Sequence, residues 1–192
     1  MYDEPDQGMA RALRRVTNIA ELARLARRRE GENWRFRDFV KGCGIEPKEI
    51  DRIVHELYRQ ESEKFDCVAC ANCCKEISPL LDNEDVRRLA VWMDVSSDLL
   101  IREYLAWDEE YEGLVFRIPC PMLKDDRCIC YHHRPMVCAS YPHLHKDGFV
   151  RRLSNMVANC SICPVVFNVI ERLKDEMKPH GWSRYMYERG RK

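Results

Sequence analysis

CVACANCCKE, residues 67–76, carries four thiols in eight positions: Cys67, Cys70, Cys73 and Cys74. No helical or strand periodicity calls for that density of cysteine, because ordinary packing is satisfied by any apolar side chain at the right spacing. A buried inert thiol explains an isolated residue such as Cys43, but not a cluster. The chain has eleven cysteines in all, the others being Cys120, Cys128, Cys130, Cys138, Cys160 and Cys163, and an odd number fits complete disulfide pairing badly. The opening MYDEPDQGMARALRR is acidic at its start and has no apolar core of the kind a secretory signal needs. The expected location is therefore cytoplasmic, where thiols stay reduced and clustered cysteines serve metals or catalysis.

Thiolates select zinc, Cu(I) or iron–sulfur clusters, and a structural zinc or a cubane cluster takes four. The steps of three from Cys67 to Cys70 to Cys73 let successive sulfurs curl around one centre. Ferredoxin-type clusters use that spacing with a remote Cys-Pro, and this chain has two such pairs, Cys120–Pro121 and Cys163–Pro164. Paired zinc knuckles, Cys67/Cys70 with Cys160/Cys163, read equally well, so spacing leaves iron–sulfur and zinc both open. Adjacent side chains in an extended backbone point to opposite sides. That places Cys73 and Cys74 toward different partners and predicts two centres.

Outward from the cluster, the pattern is mainly helical. Met9, Leu13, Val16, Ala20 and Ala23 form one apolar stripe among arginines, followed by a shorter helical piece in GENWRFRDFVKGCG. EPKEIDRIVHELYRQESEKF begins a helix at Pro47 and repeats Ile50, Ile53, Val54, Leu57 and Tyr58. Two short helices follow, capped by Asp82 or Asn83 and by Ser96 or Ser97. GLVFRI reads as a strand, LKDDRCICY as a hairpin, and HKDGF as a turn with strand on either side. A last helix starts after Pro164. The expected fold class is α+β, mostly helical: amphipathic helices around an irregular, cysteine-rich metal-binding core with a short hairpin. Between Asp108 and Cys163 regular structure reads as thin, a stretch that metal–thiolate bonds could hold together.

CVACANCC, then CPMLKDDRCICYHHRPMVCASYP, then a later CP resembles the cysteine-cluster proteins of the YkgJ or CxxCxxCC type, described as zinc- or iron-chelating domains and related to the flagellin lysine N-methylases. The resemblance spans roughly residues 65–165. It implies Cys67, Cys70, Cys73, Cys74, Cys120, Cys128, Cys138 and Cys163 as metal ligands, with Tyr131, Arg134, Pro135 and Pro142 on matching positions. Cys130 stands where the pattern has an aliphatic residue and reads as packing, and Ala139 stands where an arginine is usual. A four-thiolate zinc or an oxidised cubane carries about −2, so Arg134 is expected beside the cofactor as a donor to sulfur, rather than in a surface salt bridge to Asp125 or Asp126. His132, His133, His143 and His145 flank the ligands and are not assigned to metal. The chain then divides into a helical region (1–64), the cluster domain (65–165) and a C-terminal helix and tail (166–192).

No apolar run reaches the ~18 residues of a membrane span. The sequence has no Gly-x-Gly-x-x-Gly after a strand for a conventional methyltransferase loop, its one Gly-x-Gly (Gly42, Gly44) closing a helical piece instead, so the methylase kinship does not by itself bring catalysis. Residues 61–130 hold sixteen acids against eight basic residues, which argues against nucleic acid as the partner of the metal region. Residues 8–41 hold ten basic residues against four acids, and this basic N-terminal helix is the candidate surface for a protein partner. The expected function is thiolate chelation of iron or zinc in electron transfer, metal handling or scaffolding. A metal-dependent protein-modifying enzyme is the alternative.

Overall fold

Apolar side chains in this chain collect into two separate cores, and the cysteine-bearing segments run along the line between them. The computed structural model describes residues 15–189. Its elements are α1 (Ile19–Gly42), α2 (Pro47–Ser62), α3 (Cys67–Cys70), α4 (Cys73–Glu76), β1 (Leu80–Leu81), α5 (Asn83–Met93), α6 (Ser97–Tyr104), β2 (Leu105–Asp108), β3 (Gly113–Phe116), β4 (Leu123–Lys124), β5 (Arg127–Cys128), α7 (Met136–Ser140), α8 (Phe149–Asn159), α9 (Pro164–Glu176) and α10 (Trp182–Arg189). The fold is mostly helical α+β, as the sequence implies. No helix among the described residues is long and apolar enough to cross a membrane.

The larger core is a bundle of α1, α2, α8, α9 and α10, so segments from both ends of the chain close on one another. Helix α9 is its centre. Val165 to Ile170 are buried all round, along with Leu173. Most polar side chains that enter this core are paired, as burial requires, Asn33 Oδ1 being an exception. Asn168 reads both backbone groups of Val16, accepting its N–H at 3.0 Å and donating to its carbonyl at 3.0 Å. Glu61 accepts from Arg15 and Arg172, and Lys174 bridges Glu171 and Glu32.

The smaller core lies under a three-stranded antiparallel sheet, order β1-β3-β2, packed with α5 and α6. Leu105 pairs with Phe116 and Leu81 with Leu114. Met122 and Cys130, on either side of the β4–β5 hairpin, complete it.

Local signals place most helix starts. Pro47 opens α2, Asp82 accepts from Asp85 N to cap α5, Ser96 accepts from Leu99 N to cap α6, and Pro164 opens α9. Three expectations change. The pieces expected on either side of residue 31 are one 24-residue helix, whose buried side is Leu22, Ala26, Asn33, Phe36, Phe39 and Val40. Ala20 and Ala23 are exposed, and Val16 is buried ahead of the helix; Met9 and Leu13 lie outside the described residues. The segment after HKDG is not strand but the 11-residue α8, so the region before Cys163 is less irregular than it reads.

Helix α8 starts at Gly148 (φ 80°), which has no side chain to cap it. Its first N–H groups are met instead by Asp51 of α2, whose carboxylate accepts from Gly148 N and Phe149 N, each at 2.8 Å. Asp51→Ala should therefore cost about 1–3 kcal/mol in urea denaturation, with early amide exchange at residues 148–150. A loss below ~0.5 kcal/mol would show that another contact holds this end.

Candidate metal centre

The cluster is built from two single helical turns separated by a reversal. Asp66 caps the first by accepting from Val68 N and Ala69 N, which puts Cys67 and Cys70 three residues apart on one side. Ala71, in the left-handed region at φ 44°, turns the chain before Cys73–Glu76. Cys73 and Cys74 are therefore helical rather than extended, and the alternation argument for opposed sulfurs does not hold. Successive helical side chains diverge by only about 100°. The two thiols act on one another: their pairing raises the pKa of Cys73 and lowers that of Cys74.

Remote segments are tied to this turn through the backbone. Asn72, 8% exposed, donates from Nδ2 to the Ile162 carbonyl at 2.8 Å, docking the cluster on the turn that carries Cys160 and Cys163. Cys120 N donates to the Cys74 carbonyl at 2.9 Å, bringing in the segment before the β4–β5 hairpin. Asp85 of α5 accepts from Met136 N at 3.0 Å, and Arg88 binds both Asp85 and the Arg134 carbonyl. That fixes the turn presenting Cys138.

The electrostatic neighbourhoods of the thiols fall into two groups. Cys163 feels Cys67 and Cys70, Cys67 feels Cys70, and Cys73 feels Cys163. Cys120 feels Cys74 and Cys128, and Cys138 feels Cys120, Cys74 and Cys128. Cys73 also feels Cys138, so the groups touch across the Cys73–Cys74 step. Among the described residues, no three His, Cys, Asp or Glu side chains are gathered tightly enough to hold an ion directly. Either group would have to draw inward to close on one. As a donor set each group offers four soft sulfurs suited to zinc or iron–sulfur, and Cys130 also lies beside Cys128, Cys120 and Cys138 in the second.

Burial is the main influence on Cys67, Cys120, Cys138 and Cys163 and opposes their ionisation. It pushes Cys120 up to about 11 and Cys138 up to about 12. Cys163 rises to about 12, burial being partly offset by the Val166 and Val165 N–H groups at the start of α9, which face the thiol without capping geometry. Cys128 goes the other way, to about 6, chiefly because Cys130 hydrogen-bonds to it.

Arg134 stacks its guanidinium 3.7 Å from the centre of the Tyr131 ring and donates to the Tyr131 carbonyl at 2.9 Å. Its charge lowers the pKa of Cys67, Cys74, Cys128 and Cys138, so it acts on both thiol groups. It forms no salt bridge among the described residues, and Asp126 pairs with Lys75 instead. The histidines are engaged in other contacts: His133 stacks on Trp92, His145 on Tyr58, His132 packs against Tyr131, and His143 hydrogen-bonds Ser140. Cys43 lies against the bundle core and bonds the Val40 carbonyl, and Cys160 is buried and bonds the Met156 carbonyl.

Sequence reasoning missed three contributors. Tyr141 buries its hydroxyl beside Cys163, Cys73 and Cys160, and burial foremost, with those neighbouring thiols, holds the phenol well above its ordinary pKa. Asn72 and Asp85 tie the thiol-bearing segments together. Asn72 lies inside the cluster itself, whereas nothing local marks Asp85 as a cap for a helix 51 residues away.

A family model described as "CxxCxxCC: Putative zinc- or iron-chelating domain" matches residues 66–164, just over half of the chain. No curated protein and no solved structure matches.

Two outcomes follow from this geometry. Arg134→Met should weaken metal affinity roughly ten- to hundredfold in competition with a chelator, because the charge facing the sulfurs is lost while the bulk over Tyr131 remains. Metal uptake at pH 7 should release protons, since Cys120, Cys138 and Cys163 are held as thiols and must ionise to bind. Apparent affinity should then rise with pH above 7, by about tenfold per unit for each proton released. Calorimetry in buffers of different ionisation enthalpy reads the number directly.

Proposed function

The chain belongs to the CxxCxxCC family of zinc- or iron-chelating domains, and from that premise we propose that it holds its metal in two adjacent four-thiolate centres. The first is Cys67, Cys70, Cys73 and Cys163. The second is Cys74, Cys120, Cys128 and Cys138. The observation carrying this reading is the division of the electrostatic neighbourhoods at the Cys73–Cys74 step, each group containing four of the eight family thiols.

The role follows from where the thiols sit. Cys163 belongs to the bundle core, while Cys120 and Cys128 pack against the sheet core. Metal bound here would fasten the two cores to each other, converting binding free energy into folding free energy. Four sulfurs per centre leave no open position for substrate, which favours a closed structural or electron-transferring centre over a catalytic one. Arg134 would offset part of the negative charge of both centres. Zinc would supply rigidity alone, and iron–sulfur would add one-electron chemistry. Two centres sharing a peptide step suit short-range transfer between them.

The exposed side of α1 offers a surface for an acidic protein partner. Arg24, Arg27, Arg28 and Arg35 are exposed there, with no salt bridge among the described residues, beside a partly exposed Trp34.

Metal per chain tests the two-centre reading. Anaerobically purified protein should carry two equivalents of zinc, or two clusters with broad absorption near ~400 nm. Cys67→Ser and Cys163→Ser should each lose one equivalent, and Cys120→Ser and Cys138→Ser the other. Loss of all metal in every variant would mean a single shared centre, and full occupancy in Cys138→Ser would remove that residue from the site.

A further inference from the structure

Cys128 and Cys130, at and just past the end of β5, bring their sulfurs to 3.7 Å and share a hydrogen bond. The pair is asymmetric in access. Cys128, at the end of β5, is half-buried, whereas Cys130 is 1% exposed and packs in the sheet core with Met122 and Phe116. An apolar side chain would fill that core position equally well, so packing alone does not call for a thiol there. A disulfide needs the sulfurs at about 2 Å. The two sulfurs would have to close by a further ~1.7 Å.

We propose that Cys128 and Cys130 form a disulfide-exchange site for small-molecule disulfides of the glutathione type, and that its oxidation withdraws Cys128 from the second thiol group. The second half rests on the reading of Cys128 as a metal ligand. Access sets the order of events. The Cys128 thiolate attacks one sulfur of the small disulfide, a mixed disulfide forms, and one small thiolate leaves. Cys130 gives its proton to solvent and attacks the Cys128 sulfur from the core side. The mixed S–S bond breaks and the second small thiolate leaves. In sum two protein thiols lose two electrons and two protons, and one small disulfide becomes two small thiols. Because the resolving thiol is already buried against Cys128, the bulky reagent never has to enter the core.

Oxidised glutathione applied to the full-length chain, metal-free and zinc-loaded, tests both halves. Tandem mass spectrometry under non-reducing conditions should find a bond between Cys128 and Cys130. A chromophoric chelator should register release of one of the two zinc equivalents at the same rate. Cys130→Val, which retains both equivalents before oxidation, should instead accumulate a glutathione adduct on Cys128. Cys130→Ala should behave likewise if the branched side chain disturbs the core. A lasting adduct on Cys128 of the unmodified chain, or pairing of Cys128 with Cys120 or Cys138, would overturn the exchange site. Formation of the bond with zinc retained would overturn the withdrawal. If the protein binds neither zinc nor iron, the metal reading fails, while mapping of the metal-free chain still decides the dithiol.

Discussion

Thiols from separate stretches of chain neighbour one another where the bundle core and the sheet core carry their cysteines, and partial burial is the constraint they share. Burial works against the thiolate form, which is why Cys120, Cys138 and Cys163 are pushed well above the ordinary thiol pKa. Unmetallated, these groups are small apolar side chains that add little to hold the cores against each other. Metal bound as proposed would turn them into charged cross-links. On the proposed reading, the burial that disfavours free thiolates would be offset by metal at the junction.

The surrounding polar contacts are concentrated where they align the thiol-bearing segments. Asn72 reaches the Ile162 carbonyl, Cys120 N reaches the Cys74 carbonyl, and Asp85 holds the first turn of α7. Each joins positions far apart in sequence, and each involves backbone as donor or acceptor, so the contact positions the chain rather than a mobile side-chain tip. Arg134 completes this frame. Stacking on Tyr131 and the bond to its carbonyl immobilise the guanidinium, and an immobilised charge acts on sulfur without the entropic cost of ordering a free arginine.

Local chemistry was enough to read the helix starts at Pro47, Asp82, Ser96 and Pro164, because a cap satisfies N–H groups within three residues of itself. The hairpin at residues 123–128 was equally legible from its turn residues. Helix α8 was not, since Gly148 supplies no cap and the acceptor is Asp51, nearly a hundred residues earlier. The register of α1 was misread toward Ala20 and Ala23 because alanine is as content on a solvated helix face as in a core. Which side is buried was decided by the partners α8, α9 and α10.

For the site, the sequence alone determined the chemistry: the number of soft donors, their spacing of three in Cys67, Cys70 and Cys73, and the resemblance that singled out eight of eleven thiols. These are one-dimensional facts, since ligand type and local spacing need no fold. Tertiary structure decided which thiols are neighbours. Cys163 joins Cys67 and Cys70 through the packing of α9 against α2, and Cys138 joins Cys74 and Cys120 through the grip of α5 on the Arg134–Pro135 turn. It also decided that Cys73 and Cys74 sit on a helical turn, where neighbouring side chains diverge by about a quarter of a circle rather than oppose each other. Contacts closed across long loops depend on the whole packed core, and no local pattern of residues encodes them.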